Sequence, residues 1–429
     1  MRFDSLEDWL DWQTSLHPKA IELGLERVSK VAAKMGLLDP KHLVVTVAGT
    51  NGKGSSVAML EAMLLEAGHK VGAYTSPHMH RYNERIRVAG AEVSDEWITD
   101  AFDHIDQARG VISLSYFEFG TLAGLWIFAQ QCVDIAILEV GLGGRLDAVN
   151  ILDADLALIT AIGIDHTEWL GEGRDGISLE KVGIARRDQP LVVSEPDPPK
   201  VMKAFLEALG SRFFQLGKDF GFSLGEEEWD WWFDTRHFKA LPEPGLRGKH
   251  QFQNAAGAIA ISQLLPTSLR PEEAAIRAAL RKVHLAGRYE RLDPHNIRVG
   301  FEIILDVAHN PDGTQMLACM LEEHKILGKT YVLFGVMGDK DVETMLKTLA
   351  PVVDVWILSA ALTERAMEAS ELQDLLKKAV PQAKEFAMVD IAAAWQMAKS
   401  MLSDQDRLVV TGSFYTVAEM RSLTVSASI

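Results

Sequence analysis

The segment from residue 42 to residue 67 constrains the fold more than any other part of the chain. An apolar run, HLVVTVAG (His42–Gly49), has the composition of a buried strand, and the glycine-rich sequence TNGKGS follows it before a helical stretch begins near Ser55. Glycines let backbone N–H groups close on phosphate oxygens, and a helix N-terminus adds a positive dipole. We therefore predict a phosphate-binding loop at Gly49–Ser56.

This loop also offers a cation and a hydroxyl with separate roles. Lys53 is suited to neutralise the β- and γ-phosphates of a nucleotide, and Ser55 to reach a bound Mg²⁺. The literal P-loop pattern is not met, because the glycine spacing is shorter and Gly54 separates the lysine from the serine. The alternative is a flexible turn that binds nothing. The predicted nucleotide contacts within the loop are Thr50, Asn51, Gly52, Lys53, Gly54 and Ser55.

Similar apolar runs recur at intervals filled by helical sequence. Near-continuous runs of this kind are typical of a parallel sheet covered on both faces. The predicted strands are His42–Gly49, Lys70–Tyr74, Asp134–Gly141 and Asp155–Gly163, and the predicted helices include Asp95–Arg109, Glu118–Gln131, Glu180–Arg187 and Lys200–Leu209. The pattern predicts a large α/β domain, like a P-loop ATPase, with a central, mostly parallel sheet.

The pattern of predicted strands and helices changes twice further along the chain. Between about Phe213 and Gly248, short β-like pieces and the cluster EEEWDWWFD predict a small β excursion whose tryptophans serve packing. A second alternating series starts after Gly287 and predicts a smaller Rossmann-like α/β domain. We therefore divide the chain into an ATP-binding domain, residues 1–286, and a C-terminal domain, residues 287–429.

The net charge and the composition of the chain argue against two classes of binding partner. The chain has 429 residues, with 60 acidic against 43 basic side chains and a formal net charge of −17. Nucleic acids and anionic membranes select basic surfaces, so neither is expected as a partner. The most membrane-like stretch, Phe119–Ala129, is much shorter than the ~20 residues that a membrane helix needs, and we predict a buried helix there.

Cysteine usage and the N-terminal sequence indicate a cytoplasmic protein. Cys132 and Cys319 each sit in an apolar stretch and are expected to be small, reduced core residues. The acidic N-terminus has no unbroken apolar stretch and does not resemble a signal peptide.

Donors suited to a metal ion follow the predicted strands. Glu139 ends one strand and His166 follows the next, and open parallel sheets gather ligand groups at the carboxyl ends of their strands. With Ser55 and Ser76 they are the candidates for Mg²⁺, but this ion prefers oxygen ligands, so chemistry alone would not choose His166 and its selection depends on the family resemblance given below. The alternatives are a solvated or salt-bridged Glu139 and a hydrogen-bonded structural His166.

The loop variant GTNGKGS resembles the ATP-binding loop of the Mur-ligase superfamily. Further segments resemble its folate branch, the folylpolyglutamate synthases and bifunctional dihydrofolate synthases, in the same order over nearly the whole chain. These segments are TSPHMHRYNERI (Thr75–Ile86), FEFGTLAG (Phe117–Gly124), LEVGLGGRLDAVN (Leu138–Asn150), DHTEWLG (Asp165–Gly171), EKVGIAR (Glu180–Arg186), HQFQNAAGA (His250–Ala258), GRYE (Gly287–Glu290), LDVAHNPDG (Leu305–Gly313) and GSFYTV (Gly412–Val417).

The resemblance implies an enzyme that uses ATP and two Mg²⁺ ions. It places Asn254, Arg288 and Asp306 at the nucleotide, and His309 and Ser413 at the incoming glutamate or the γ-phosphate. Arg288 is a permanent planar cation at the predicted domain boundary, where closure would bring its charge to the transferring phosphoryl group. An interdomain salt bridge is the alternative.

The resemblance also gives Lys181 a role that its sequence context does not. Beside Glu180, on a predicted first helical turn, Lys181 would otherwise be a solvated lysine. The family often carbamylates the matching lysine, so we predict a carbamylated Lys181 that helps to hold a second Mg²⁺. With it, the predicted metal ligands are Ser55, Ser76, Glu139, His166 and Lys181, and the predicted catalytic residues are Lys53, Lys181, Arg288 and His309.

Three segments correspond to the family's binding site for a pterin-bearing substrate. Their residues are Leu25, Glu26, Arg27, Val28, Ser115, Tyr116, Phe117, Glu118, Leu146, Asp147 and Ala148. Asp147 is suited to accept hydrogen bonds from pterin N–H groups, and Phe117 and Phe119 to stack on a ring, with core packing as the alternative for both rings. Val149 stands where many relatives have threonine, which removes a hydroxyl near the pocket.

The predicted activity is ATP-dependent amide bond formation with L-glutamate, on dihydropteroate and on folates, through an acyl phosphate. A monofunctional enzyme that only extends folates is the alternative within the family. A peptidoglycan-type Mur ligase is disfavoured because too few residues precede Gly49 for its UDP-binding domain, and a P-loop NTPase switch would not need LDVAHNPDG or GSFYTV. We expect a monomer whose site is locally cationic, with Arg81, Arg85 and Arg145 in nearby motifs.

Overall fold

The computed structural model describes residues 2–17, 22–171, 173–297 and 299–425. The chain groups into two compact units. One comprises Met1–Gly163, Thr167–Gly245 and Gln251–Val283, and the other comprises Ile164–His166, Leu246–His250 and His284–Ile429. The domain limits at residues 1–286 and 287–429 stay a prediction from the sequence.

Within the described residues, the first unit is built on an eight-stranded sheet. Its strands are β1 (Leu43–Ala48), β2 (Val71–Tyr74), β3 (Ile86–Val88), β4 (Ala91–Glu92), β5 (Ile135–Glu139), β6 (Leu156–Ile159), β7 (Pro190–Val193) and β8 (Arg212–Gln215). Their order is β4-β3-β2-β5-β1-β6-β7-β8, and the hairpin strands β3 and β4 run antiparallel at one edge of an otherwise parallel sheet. The predicted mostly parallel sheet is therefore confirmed.

Helices cover this sheet and fill the connections between its strands. They are α1 (Leu6–Leu16), α2 (Glu26–Met35), α3 (Lys53–Glu66), α4 (Asp95–Arg109), α5 (Tyr116–Gln130), α6 (Thr167–Leu170), α7 (Arg174–Val182), α8 (Lys200–Leu209), α9 (Lys249–Leu264) and α10 (Glu273–Lys282). The N-terminal helices α1 and α2 pack on α4 and α5. Helix α5 is apolar nearly all round and lies in the core, as predicted for Phe119–Ala129.

The predicted β excursion is a separate antiparallel sheet. It consists of β9 (Phe220–Leu224), β10 (Glu228–Phe233) and β11 (Arg236–Pro242), with β10 in the middle. Trp229 and Trp231 are buried, and the Trp231 Nε1–H donates to the Ala256 carbonyl of α9 at 3.1 Å. These two tryptophans therefore pack the small sheet against the unit, in agreement with the packing role predicted for the cluster.

The second unit has its own sheet, six-stranded over the residues described. Its strands are β12 (Glu290–Leu292), β13 (Glu302–Leu305), β14 (Thr330–Phe334), β15 (Val355–Leu358), β16 (Glu385–Ala387) and β17 (Arg407–Thr411), in the order β12-β13-β17-β14-β15-β16. Only the β12–β13 pair is antiparallel among these strands. Its helices are α11 (Pro294–Ile297), α12 (Pro311–Glu323), α13 (Val342–Leu349), α14 (Ala369–Ala379), α15 (Ile391–Met401) and α16 (Phe414–Val425).

Two predictions from the sequence are wrong. Cys132 and Cys319 are exposed rather than buried in the core, because Cys132 lies in the turn that follows α5 and Cys319 lies on the outer side of α12, next to the buried Met320. Helix α7 begins at Arg174 and ends at Val182, so Lys181 lies in its last turn and not in the first turn of a helix that starts at Glu180.

None of the helices in the described part of the chain is both long enough and apolar enough to cross a lipid bilayer.

Candidate functional site

The glycine-rich loop joins the end of β1 to the start of α3 at the carboxyl edge of the first sheet. Gly49 has φ +155°, and a Cβ there would lie 1.8 Å from the Thr160 hydroxyl oxygen. Gly52 caps α3 with φ +88°, and its Cβ would lie 2.3 Å from the Asn254 side-chain oxygen. Both positions thus require glycine, and the second contact brings the predicted nucleotide residue Asn254 against the loop.

The loop is also joined to the segment that follows β6. The Thr50 N–H donates to the Ala161 carbonyl at 2.7 Å, and the Thr50 hydroxyl donates to the Gly163 carbonyl at 3.0 Å. Thr160 in turn donates from its hydroxyl to the Asn51 carbonyl at 2.7 Å. These bonds fix the loop before any ligand binds. No local motif indicated Thr160, because its contact is with a loop that lies 109 residues earlier in the chain.

Two ammonium groups meet on one carbonyl oxygen of this loop. Lys53 Nζ lies 3.1 Å from the Gly49 oxygen, and Lys181 Nζ lies 2.9 Å from the same atom. Lys181 is buried, with 4% of its surface exposed, although its sequence context alone predicts a solvated side chain. A pair of cations at the N-terminus of α3 makes the loop a strong site for an anion.

The predicted metal ligands of the first unit lie around the same edge. Glu139, the last residue of β5, is buried, and its Oε2 accepts a 3.2 Å hydrogen bond from the Ser76 N–H. Ser55 is buried in the first turn of α3. The donors are oxygens, which suits Mg²⁺. His166 lies in the second unit, so the structure brings Glu139 and Ser76 together but does not place the full predicted set.

Carboxylates are sparse in this predicted metal site. Within the ranges that the structure describes, no three His, Cys, Asp or Glu side chains gather as a metal centre. A divalent ion here would therefore depend on Glu139, hydroxyl groups, water and phosphate oxygens, as Mg²⁺ sites with nucleotides commonly do.

The three segments predicted to bind a pterin come together in the first unit. The Gly24 N–H donates to the Leu146 carbonyl at 3.3 Å, which joins the segment before α2 to the loop after β5. Arg27 Nη2 lies 3.1 Å from Glu118 Oε1, and Glu118 also accepts from the Ser115 N–H at 2.7 Å in a capping box. Glu118 and Arg27 therefore join two of the segments, and Tyr116 and Phe117 are partly buried beside them.

Two residues of the predicted pocket have mainly structural partners. Phe119 is fully buried against Trp9, Trp12 and Phe102, so core packing is the correct interpretation and its ring offers no face to a ligand. Asp147 accepts hydrogen bonds from the N–H groups of Leu142 and Val149 at 2.8 and 3.0 Å.

Burial raises the pKa of Asp147 to about 6, against the opposing effect of the backbone N–H groups that bond to it. Its carboxylate shapes the loop, and a pterin N–H would have to share the same oxygens.

Ion pairs that join distant segments escape sequence analysis. Arg87 on β3 donates to both carboxylate oxygens of Glu61 on α3, with Nη2 2.7 Å from Oε2. Its Nη1 also donates to the Thr75 hydroxyl and to the Glu84 carbonyl, each at 3.1 Å. Arg87 thus holds both ends of the loop that carries Ser76, and no local motif indicated this role.

In the second unit, Asp165 is the centre of a charged cluster. Lys340 Nζ lies 2.6 Å from Asp165 Oδ1, His309 Nε2 lies 3.4 Å from Oδ2, and the Asn310 amide donates to Oδ2 at 3.1 Å. Burial disfavours the ionised carboxylate, but the hydrogen bond from His309 and the charges of His166, His309 and Lys340 outweigh it and hold the pKa of Asp165 well below its usual range. The sequence suggested His309 but gave no role to Asp165 or Lys340.

The remaining predicted residues also lie around the carboxyl ends of the second sheet. Asp306 follows β13 and accepts from the N–H groups of Tyr289 and Ala308 at 2.8 and 2.9 Å. Burial raises its pKa, while the charge of Arg288 opposes the shift. The Arg288 guanidinium lies 5.1 Å from the centre of the Phe414 ring, next to the buried Ser413.

The Ser413 hydroxyl lies 2.9 Å from that of Thr416. Arg288, Asp306, His309 and Ser413 thus belong to one edge of the second unit.

Comparison with known proteins gives a family match in the C-terminal part and relatives that match nearly the whole chain. The model of the Mur ligase glutamate ligase domain matches residues 287–414. A dihydrofolate synthase/folylpolyglutamate synthase of Escherichia coli is 41% identical over 417 residues, covering 97% of this chain and 94% of that protein.

Solved structures of related proteins agree with these sequence matches. The structure of Escherichia coli FolC in complex with DHPP and ADP superposes with a TM-score of 0.91 at 39% identity, covering 98% of this chain and 97% of that one. A bifunctional folylpolyglutamate synthase/dihydrofolate synthase with Mn, AMPPNP and L-glutamate bound superposes with a TM-score of 0.88 at 40% identity, covering 98% of both chains.

Proposed function

This chain belongs to the dihydrofolate synthase/folylpolyglutamate synthase family of ATP-dependent ligases, and we propose that it joins L-glutamate both to dihydropteroate and to tetrahydrofolate or its polyglutamates. The observation that carries the proposal is the glycine-rich loop, where Lys53 and the buried Lys181 converge on the Gly49 carbonyl at the N-terminus of α3. Such a loop binds the phosphates of ATP, and in a ligase that activates carboxylates Lys53 would neutralise charge at the γ-phosphate.

The reaction requires no covalent bond to the protein. A carboxylate oxygen of the acceptor attacks the γ-phosphorus of ATP, the bond to the β,γ-bridging oxygen breaks, and ADP leaves. The amine of glutamate then attacks the acyl carbon, loses a proton, and phosphate departs as the amide forms. Lys53 would neutralise phosphate charge in the first step, and Arg288 and His309 would contact the phosphoryl group or the glutamate.

A divalent ion fits the oxygen donors of the first unit. Glu139 and the hydroxyl groups of Ser55 and Ser76 would hold it, with His166 as a further predicted ligand. When bound, such an ion neutralises the negative charge of the nucleotide phosphates. Glu139 is fixed by the Ser76 N–H, so one carboxylate oxygen is oriented before the ion arrives.

We keep the prediction that Lys181 is carbamylated. A buried ammonium that shares a carbonyl with a second ammonium is unfavourable, since like charges disfavour each other's charged form. A carbamate would replace the positive charge of Lys181 by a negative one and turn repulsion from Lys53 into attraction. Intact-protein and peptide mass spectrometry in bicarbonate buffer would detect the added carbamate, after chemical trapping, on Lys181. A peptide that stays unmodified when activity is full would contradict it.

The dual acceptor range is tested by assaying the purified full chain with ATP, Mg²⁺ and L-glutamate. One reaction receives dihydropteroate, a second receives tetrahydrofolate, and a third receives neither. We expect ADP release and glutamate incorporation with each acceptor and none without one. Incorporation with tetrahydrofolate alone would make the enzyme an extension-only synthase, and ADP release without acceptor and glutamate would rule out the ligase.

We further propose that the enzyme acts as a cytoplasmic monomer and that its partners are these small molecules, without nucleic acid or membrane. Its acidic net charge of −17 supports the last point. Sedimentation of the purified chain at several concentrations would test the monomer.

A further inference from the structure

Three arginines of the first unit are candidates for local positive charge near the predicted substrate pocket, and two of them are neutralised. Arg81 Nη2 lies 3.1 Å from Asp95, and Arg145 Nη2 lies 2.9 Å from Glu180. Among the described residues, no carboxylate oxygen lies within 4.0 Å of the Arg85 guanidinium nitrogens. Arg85 is half-buried, so its charge lacks both full hydration and an anionic neighbour at contact distance.

The Arg85 guanidinium lies beside an imidazole and two aromatic rings, and its charge also acts on the buried Tyr74 hydroxyl. Its Nε–H donates to His78 Nδ1 at 2.7 Å, and the guanidinium carbon lies 5.5 Å from the Tyr82 ring centre and 5.6 Å from that of Tyr116. The two Nη groups form the edge that suits a planar carboxylate.

The loop that carries Arg85 is fixed in advance. The Thr75 N–H donates to the Arg85 carbonyl at 2.9 Å and closes the loop at its base. Glu84 accepts from the N–H groups of Met79, His80 and Arg81 at 2.7 to 2.8 Å, so one carboxylate organises the interior of the loop. Arg85 is therefore presented by a rigid support, which lowers the entropy that binding would cost.

The position of Arg85 connects the pocket to the phosphate loop. Tyr116 belongs to the predicted substrate segment, and Ser76, at the other end of the same loop, donates its N–H to Glu139 at the predicted metal site. An anion on Arg85 would thus lie among aromatic rings, on a loop whose base reaches the site of phosphoryl transfer.

We propose that Arg85, which donates to His78 and lies beside the rings of Tyr82 and Tyr116, binds the carboxylate of an aryl carboxylate substrate. The inference rests on the proposed function and assigns a recognition residue for the benzoate end of dihydropteroate. Arg85 selects acceptors that carry a free carboxylate, and it presents that group for phosphorylation.

Binding measurements without ATP test this role. Calorimetry with the full chain compares 7,8-dihydropteroate with its methyl ester, in the wild type and in the variants Arg85→Met, Arg85→Lys and Arg81→Met. We expect the wild type to prefer the free acid by about tenfold to a hundredfold, the value of a charge-assisted hydrogen-bonded pair. Arg85→Met should abolish this preference, Arg85→Lys should retain part of it, and Arg81→Met, which loses only a surface ion pair with Asp95, should keep it.

The outcomes separate this inference from the proposed function. An undiminished preference for the acid in Arg85→Met would overturn the role of Arg85 while leaving the ligase intact. Equal weakening of acid and ester in Arg85→Met would assign it a purely structural role and also overturn the inference. If the wild type binds neither compound and releases no ADP with dihydropteroate and glutamate, the proposed function itself fails.

Discussion

At the residue scale, one carbonyl oxygen brings together two lysines of the candidate site. The Gly49 carbonyl accepts from Lys53 and from Lys181, two residues that are far apart in sequence. The glycine-rich motif alone predicts Lys53. That Lys181 is buried against the same loop depends on how α7 packs, which no local pattern contains.

Replacing Lys53 by alanine should reduce turnover by about 10²- to 10³-fold, the typical effect of removing one donor to a charged transition state. The free energy of unfolding should change little, because Lys53 is only partly buried and its hydrogen bonds go to the loop carbonyls of Gly49 and Thr50. Steady-state ADP release and urea unfolding measure the two effects. Lys347→Ala, which removes an exposed ion pair with Glu343, is the matched control and should change neither. Turnover of Lys53→Ala near that of the wild type would contradict the assignment of the loop.

Replacing Glu139 by glutamine should weaken the response to Mg²⁺. Glutamine keeps an oxygen for the Ser76 N–H, but it loses the charge that would attract the ion. We expect the Mg²⁺ concentration for half-maximal activity to rise by about tenfold or more, since even the outer-shell partners of a metal typically account for that much. Glu180→Gln changes a carboxylate paired with Arg145 and is the control. Identical Mg²⁺ titrations for Glu139→Gln and the wild type would exclude Glu139 as a ligand.

At the element scale, helix α5 shows why a motif of small residues belongs to the core. A Cβ on Gly120 would lie 2.5 Å from the Tyr82 hydroxyl and 2.9 Å from that of Tyr74, and both tyrosines are buried. The segment FEFGTLAG therefore lets two aromatic residues pack against the helix. The glycines of this segment make room for the residues that support the substrate pocket, and their role is not contact with a ligand.

The variant Gly120→Ala should destabilise the protein despite the better helix propensity of alanine. Overpacking costs about 1–3 kcal/mol, against a gain of about 1 kcal/mol from propensity. Adding Tyr82→Phe, which removes the nearer hydroxyl, should restore part of the loss in chemical unfolding. Gly176→Ala in α7, where the nearest atom to a Cβ is 3.5 Å away, is the control and should be neutral or stabilising. Equal stability of Gly120→Ala and the wild type would refute this packing argument.

Sequence patterns predicted the elements well where apolar residues run without a break. Strands β1, β5 and β6 follow directly from such runs, because both faces of a parallel sheet are buried. The start of α7 was missed since GRDGISLE has two glycines and few apolar residues, although Ile177 and Ser178 are buried within the helix. There, tertiary packing overrides local propensity. The partners of Arg81 and Arg145 escaped prediction for a similar reason, since each is set by a separate element.

At the scale of the whole molecule, buried histidines and a buried aspartate should make the free energy of unfolding depend on pH between 5 and 7, with opposite effects. Burial lowers the pKa values of His78 and His250 to about 4. As the pH falls below about 6.5, these histidines become protonated in the unfolded chain but stay neutral in the folded state. Their contribution is lost as the pH falls below about 6.5. Asp147, with a pKa raised to about 6, opposes this loss because its protonation favours the folded state.

Since two histidines act against one aspartate, the urea midpoint should be lower at pH 5 than at pH 7. The variant His250→Gln should show a smaller decrease than the wild type, because glutamine does not titrate. Unfolding followed by circular dichroism at both pH values tests this. A midpoint that rises on acidification, or an equal decrease in the variant, would show that other groups dominate. Asp165, whose pKa is depressed, should lose its contribution only as the pH falls below about 4.

The Glu84 carboxylate, which bonds three successive backbone N–H groups at Met79, His80 and Arg81, has a consequence for engineering. Because the loop is held through its main chain, the side chains at these three positions are not needed to keep its shape. They could be randomised together as a library for acceptors of altered size while Glu84 and Arg87 stay fixed. Proline is the one residue to omit there, since it has no N–H to donate.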